Sequence, residues 1–201
     1  KTLKVAGQSV ESALDNTVMK VELPKPLLPN ESIVFNMDFA TYFDQGTMER
    51  RMAIFRTNEG FKHFNGVHWY PRIAVYDHKF GWTTDQHLGK EFYGDFGTYE
   101  VSLTLPHEFI LDATGTLQNE SEVLPEDLKS KLKIENFKDK TWGSPASQII
   151  TPEKGKVKTW NFYAENVHDF AFTADPTYRI GTAEWNGVKT VALVQESHAA
   201  G

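Results

Sequence analysis

Apolar and polar residues that alternate at period two, broken repeatedly by proline and glycine, constrain this chain more than any other pattern. Over residues 32–43, Ile33, Phe35, Met37, Phe39 and Phe43 fall on one side and Asn36 and Asp38 on the other. Successive side chains of an extended backbone point to opposite faces, so this spacing predicts a half-buried strand. Residues 99–105 repeat it, with Tyr99, Val101, Leu103 and Leu105 set against Glu100, Ser102 and Thr104. Pro106, which has no N–H to donate, ends that ladder. A shorter version runs over 19–23 and stops at Pro24.

Further strands are expected at 3–5, 51–56, 73–76, 109–114, 156–164, 169–173, 178–184 and 189–195, with turn residues between them. Trp185-Asn186-Gly187 reads as an Asn-Gly hairpin loop, because both central residues of such a turn need positive φ. Many short strands at close spacing predict an all-β fold, a sandwich or barrel. Residues 125–132 alone read as a helix: Pro125 starts it, Glu126 and Asp127 sit early, lysines sit late, and Leu128 and Leu132 share a side. That short helix lies in a polar, aperiodic excursion over 118–151. No repeat or linker divides the chain, so residues 1–201 are expected to form a single β-sandwich domain.

The 201 residues contain no cysteine, which removes disulfide frameworks, thiol nucleophiles and cysteine-held metal. A formal charge of −6, from 21 Lys and Arg against 27 Asp and Glu, offers no basic face for nucleic acid and no polybasic stretch for anionic lipid. No apolar run approaches the roughly 20 residues of a membrane-spanning helix. Neither nucleic acid nor membrane is therefore an expected partner.

A zinc helix needs two histidines one turn apart with a glutamate between them, and His107-Glu108 lacks the second histidine. No Gly-x-Ser-x-Gly elbow or phosphate-cradling glycine loop occurs. Carboxylate pairs such as Glu91 with Asp95, or Asp169 with Asp175, are read as turn caps rather than as acid–base partners. The expectation is no catalytic residue and no metal ligand in this chain. A weaker alternative builds a metal-dependent site from His63, His68 and Asp77. Among the aromatics, Trp160 and Phe162 alternate as a core face does, whereas Trp69 and Trp82, placed in loops, are candidates for a sugar-stacking platform.

Three segments together resemble the amino-terminal domain of M1 metallopeptidases, the aminopeptidase N-like gluzincins. They are residues 15–32, with their Pro-Leu turn; His68-Trp69-Tyr70-Pro71 through Asp77, with Gly81-Trp82 and residues 91–101; and residues 160–171. The resemblance implies a saddle-like, mostly antiparallel β-sandwich that packs on a thermolysin-like catalytic domain of the same parent chain. It also implies that zinc and its His-Glu-x-x-His motif belong to that next domain, expected after Gly201, and that the family's first strands precede Lys1. The implied role is non-catalytic: to wall the peptide-binding cleft, with His63, Asn65, His68 and Trp69 as the cleft candidates. Relatives of this kind act on peptides in the periplasm or outside the cell, so that location is implied too. The other class of function open to the sequence is a stand-alone carbohydrate- or protein-binding sandwich.

Overall fold

A computed structural model describes residues 2–45, 51–84 and 93–198. Along the chain run β1 (Leu3–Val5), β2 (Gln8–Ser9), β3 (Ser12–Asp15), β4 (Val18–Val21) and β5 (Phe35–Met37). Next come β6 (Ala53–Arg56), β7 (Lys62–Gly66), β8 (Tyr76–Asp77) and β9 (Gly81–Trp82). The remainder holds β10 (Gly97–Pro106), β11 (Ile110–Ala113), β12 (Thr116–Leu117), α1 (Glu120–Val123), α2 (Glu126–Leu132), β13 (Val157–Val167), β14 (Phe172–Asp175), β15 (Tyr178–Trp185) and β16 (Val188–Gln195). The fold is all-β, and each ladder between these strands is antiparallel.

Where the sequence suggests a single domain, the contacts sort the chain into two compact units. One comprises residues 1–42 and 70–95, the other 43–69 and 96–201. The first unit contains a three-stranded sheet in the order β2-β1-β5 and the hairpins β3-β4 and β8-β9. Its anchor is Val5, fully buried and paired with Phe35. The strand expected over 32–43 is confined to β5, because β1 offers it just three partners, Leu3, Lys4 and Val5. Beyond Met37 the alternation continues without a ladder, and Phe39 is exposed. Likewise the strand expected at 73–76 begins at Tyr76. Glu91 and Phe92 lie outside the described residues.

The second unit is built on two sheets, β10-β13-β12 and β11-β14-β7-β6, with the hairpin β15-β16 beside them. The long β10-β13 pair sets Leu103 opposite Trp160 and Val101 opposite Phe162, so these four share a face. Trp160, Phe162, Ala164 and Phe170 are buried, as the alternation predicts for Trp160 and Phe162, and Phe162 and Phe170 meet edge to face at 6.2 Å. In the second sheet, Phe172 lies flat on Gly66: a Cβ there would sit 2.2 Å from the Phe172 ring, so the close approach requires glycine. The Asn-Gly turn forms as expected. Trp185 pairs with Val188, leaving Asn186 and Gly187 as the loop at φ 49° and 76°.

The excursion over 118–151 carries α2 where the helix is predicted, preceded by the four-residue α1. An internal ionic network ties this excursion to β15 and the segment after β16. The Glu196 carboxylate, almost fully buried, binds Lys140 Nζ and accepts the Ser147 N–H at 2.8 Å. The Arg179 guanidinium, fully buried, donates to the Ser147, Thr177 and Tyr178 carbonyls and stacks 4.3 Å from the Phe137 ring. Burial brings Arg179 down to about 10, against the opposing pull of Glu196 and Asp175. It remains charged near neutrality, its two terminal nitrogens bonded to neighbours while its Nε is buried without a partner.

Candidate functional site

β7 is where sequence and structure part most usefully. The stretch from Gly60 to Tyr70 reads as a histidine-bearing loop, yet Lys62–Gly66 is a central strand, paired with β6 on one side and β14 on the other. Its alternation is apolar-in, polar-out, with Phe64 on one face and His63 and Asn65 on the opposite one. The β7-β14 register sets Asn65 opposite Thr173 and Phe64 opposite Ala174. This places Asp175, the last residue of β14, beside His63.

A connected polar cluster results. His63 Nδ1 lies 3.2 Å from Asp175 Oδ2 and 3.3 Å from the Tyr178 hydroxyl, and its Nε2 lies 2.9 Å from Asn65 Oδ1. The Tyr178 hydroxyl also meets Thr173 Oγ1 at 2.5 Å, and Thr173 donates to Asn65. Asp175, fully buried, accepts the Thr177 N–H at 2.6 Å, the Thr177 hydroxyl at 2.7 Å and Gln195 Nε2 at 2.8 Å. Burial alone would raise the Asp175 carboxyl, but the bonds from His63, Gln195 and Thr177 outweigh it and hold it below the usual range. Burial, with the Asp175 charge beside it, pushes the Tyr178 phenol up to about 12, against the pull of Thr173.

Geometrically this is a saturated lock. Both His63 ring nitrogens and both Asp175 oxygens are engaged, and 16% of the His63 side chain is accessible. Tyr178 and Gln195 open and close the hairpin β15-β16, so the cluster fastens that hairpin to the outer face of the sheet. Asp112, on the same face of β11, has its carboxyl raised by burial.

The other two cleft candidates lie elsewhere in this unit. His68, at φ 55°, pairs with Asp169 at 3.4 Å. Trp69 donates its indole N–H to the Phe170 carbonyl at 3.0 Å and sets its ring edge-on to Phe172 at 5.7 Å. The four candidates thus divide into His63 with Asn65 in the lock, and His68 with Trp69 against residues 169–170. Trp69, held and half-buried, is not an exposed platform. Trp82, in the first unit, is exposed and lies 5.0 Å from exposed Tyr76, with exposed Phe80 in the same hairpin.

Among the described residues no group of three or more His, Asp or Glu is arranged to hold a metal ion, so the arrangement of His63, His68 and Asp77 gains no support. Sequence reading passed over Tyr178 and Thr173 and took Asp175 as a turn cap. The β14 register brings Thr173 opposite Asn65 and Asp175, 112 residues away in sequence, beside His63, and the start of β15 adds Tyr178. No family model, curated protein or solved structure matches the chain.

Proposed function

We propose that this chain is a non-catalytic β-domain of an M1-like zinc metallopeptidase, which packs on the catalytic domain of its parent chain and walls the peptide-binding cleft. The observation that carries the reading is the β15-β16 hairpin. Its base is fastened by Tyr178, Gln195 and the Arg179 and Glu196 network, while residues 182–192 are exposed. Trp185 is 77% exposed, and Val188 and Val191 are exposed with it. A rigidly rooted ladder with bare aromatic and β-branched side chains is built to meet another surface. Peptide is the substrate of the assembly, and zinc belongs to the catalytic domain.

The test has two arms. Purified chain should retain no stoichiometric zinc and should not hydrolyse an aminoacyl reporter. Mixed with the parent protein's peptidase domain, it should form a one-to-one complex that Trp185→Ser weakens. Zinc held at one equivalent, reporter hydrolysis by this chain alone, or no complex would overturn the proposal.

The exposed group of Tyr76, Phe80 and Trp82 favours a second reading, a carbohydrate- or protein-binding module. Asp77 shapes that hairpin by accepting the Lys79 and Phe80 N–H groups at 2.9 and 2.7 Å. Saturable quenching of tryptophan fluorescence by oligosaccharides, abolished in Trp82→Ala, would select it over the first.

A further inference from the structure

The facing surfaces of the two sheets in the second unit do not fill the space between them. At one end Trp160, Phe162 and Phe170 close the core. At the other, a half-open cavity of about 740 Å³ is walled by Leu103 and Leu105 of β10, and by Phe64 of β7 and Phe172 and Ala174 of β14. Close-packed interiors leave few voids larger than a water molecule, and this volume is that of a small-molecule site. The aromatic walls brace one another. Phe43 meets Phe64 at 5.1 Å and Phe64 meets Phe109 at 5.6 Å, both edge to face, while Phe172 is pinned on Gly66.

The rim of this cavity carries an unbalanced pair of charges. Lys62 opens β7 two residues before Phe64, so it stands on the same face and borders the cavity. The β6-β7 register sets Arg56 directly opposite Lys62, just as it sets Ile54 opposite Phe64. Both cations therefore emerge on the cavity side of the sheet, and both are exposed. Like charges directly opposite on one face destabilise a ladder. Among the described residues no carboxylate pairs with either of them.

Two carboxylates border the same cavity, and neither relieves that pair. Glu59 turns to the Thr57 hydroxyl and its own N–H, and more weakly to the Ala146 N–H and Lys140, which hold it below its usual range. Glu108, in the turn between β10 and β11, is separated from Lys62 by the width of β14, and its Oε2 is buried.

We infer that this cavity binds an amphipathic carboxylate of the fatty-acid kind, its hydrocarbon body among the phenylalanines and its carboxylate at the Lys62 and Arg56 pair. The unfilled aromatic volume calls for an apolar body. Two facing cations without a counter-ion at its rim call for an anionic head, which attracts both and relieves their mutual repulsion. The inference concerns this chain by itself and does not depend on the peptidase reading.

The test is calorimetric titration of the full chain with dodecanoate near neutral pH and below its micelle concentration, with n-dodecylamine and 1-dodecanol as matched controls. The expected result is saturable one-to-one binding of dodecanoate, with the amine and the alcohol roughly fivefold weaker or more, the upper range for an exposed ion pair. Lys62→Met should bring dodecanoate down to the level of the alcohol. Lys62→Glu should reverse the order, so that the amine binds more tightly than dodecanoate. Leu103→Trp, which puts bulk into the cavity, should abolish binding of all three. Circular dichroism and thermal unfolding verify that each variant is folded, and the exposed Lys62 variants keep the test decisive if Leu103→Trp does not fold. Absence of saturable binding, equal or tighter binding of the amine or the alcohol to the native chain, or unchanged dodecanoate affinity in Lys62→Met would each overturn the inference.

Discussion

The two faces of the sheet β11-β14-β7-β6 are made by the same strands and solve opposite problems. On the outer face His63, Asn65, Thr173 and Asp175 are closed under Tyr178 and Gln195, each polar group meeting another. On the inner face Phe64, Phe172 and Ala174 border a cavity that their own side chains do not fill. The histidine-bearing face draws the eye as chemistry, yet its groups are spent on holding a hairpin. The apolar face, which resembles ordinary core, is the one with room for a ligand. Hydrogen-bond saturation and unfilled volume therefore tell a fastening face from one with unfilled space better than residue type does.

The largest effect that could break this comparison is at Asp175. Asp175→Ala strands the Thr177 N–H, Gln195 and His63 at once, and should cost about 3–4 kcal/mol in urea unfolding. A loss below about 1 kcal/mol would show that the outer face is not the lock described. Gly66→Ala comes next. Its methyl collides with the Phe172 ring, and a loss of about 2 kcal/mol is expected, partly restored when Phe172→Leu is added. At the cavity, Leu105→Ala should cost only about 1 kcal/mol, below the usual range for a packed leucine, because its side chain borders space instead of neighbours. A cost of about 3 kcal/mol or more would mean that the inner face is packed.

Acid provides a subtler probe. The Asp175 carboxyl titrates below its ordinary 3.8 in the folded chain, so its contribution to stability is complete above that pH and is lost as pH falls through the lowered value. Asp112, raised by burial, works in the opposite sense, with stability falling as pH rises from its ordinary value to the raised one. Asp175→Asn should flatten the acid limb of a stability-against-pH curve, and Asp112→Asn should remove the shallow decline above it. Tyr178 should give the smallest signal, a phenol that ionises near 12 and disappears from the ultraviolet titration in Tyr178→Phe.

Much of the architecture was legible in the alternation itself. β10, β13, the Asn-Gly hairpin and α2 carry strong local signals, and the structure places them within a few residues of expectation. β7 was missed because Gly60 and Gly66 bracket a five-residue stretch whose outward positions are His63 and Asn65, a composition that reads as a loop. The polar lock depends on strand register between segments more than a hundred residues apart, which no local pattern encodes. His107-Glu108 was legible only as a failed zinc motif. How the two sheets leave space between them is a property of summed side-chain volume and not of any one residue.

Native mass spectrometry of a zinc-loaded mixture tests the proposed reading most directly, with this chain and the peptidase domain that the proposal assigns to a parent protein at equal concentration. The account predicts a one-to-one complex holding a single zinc ion, with this chain metal-free when sprayed alone. Zinc on this chain alone, or two unassociated species in the mixture, would contradict it.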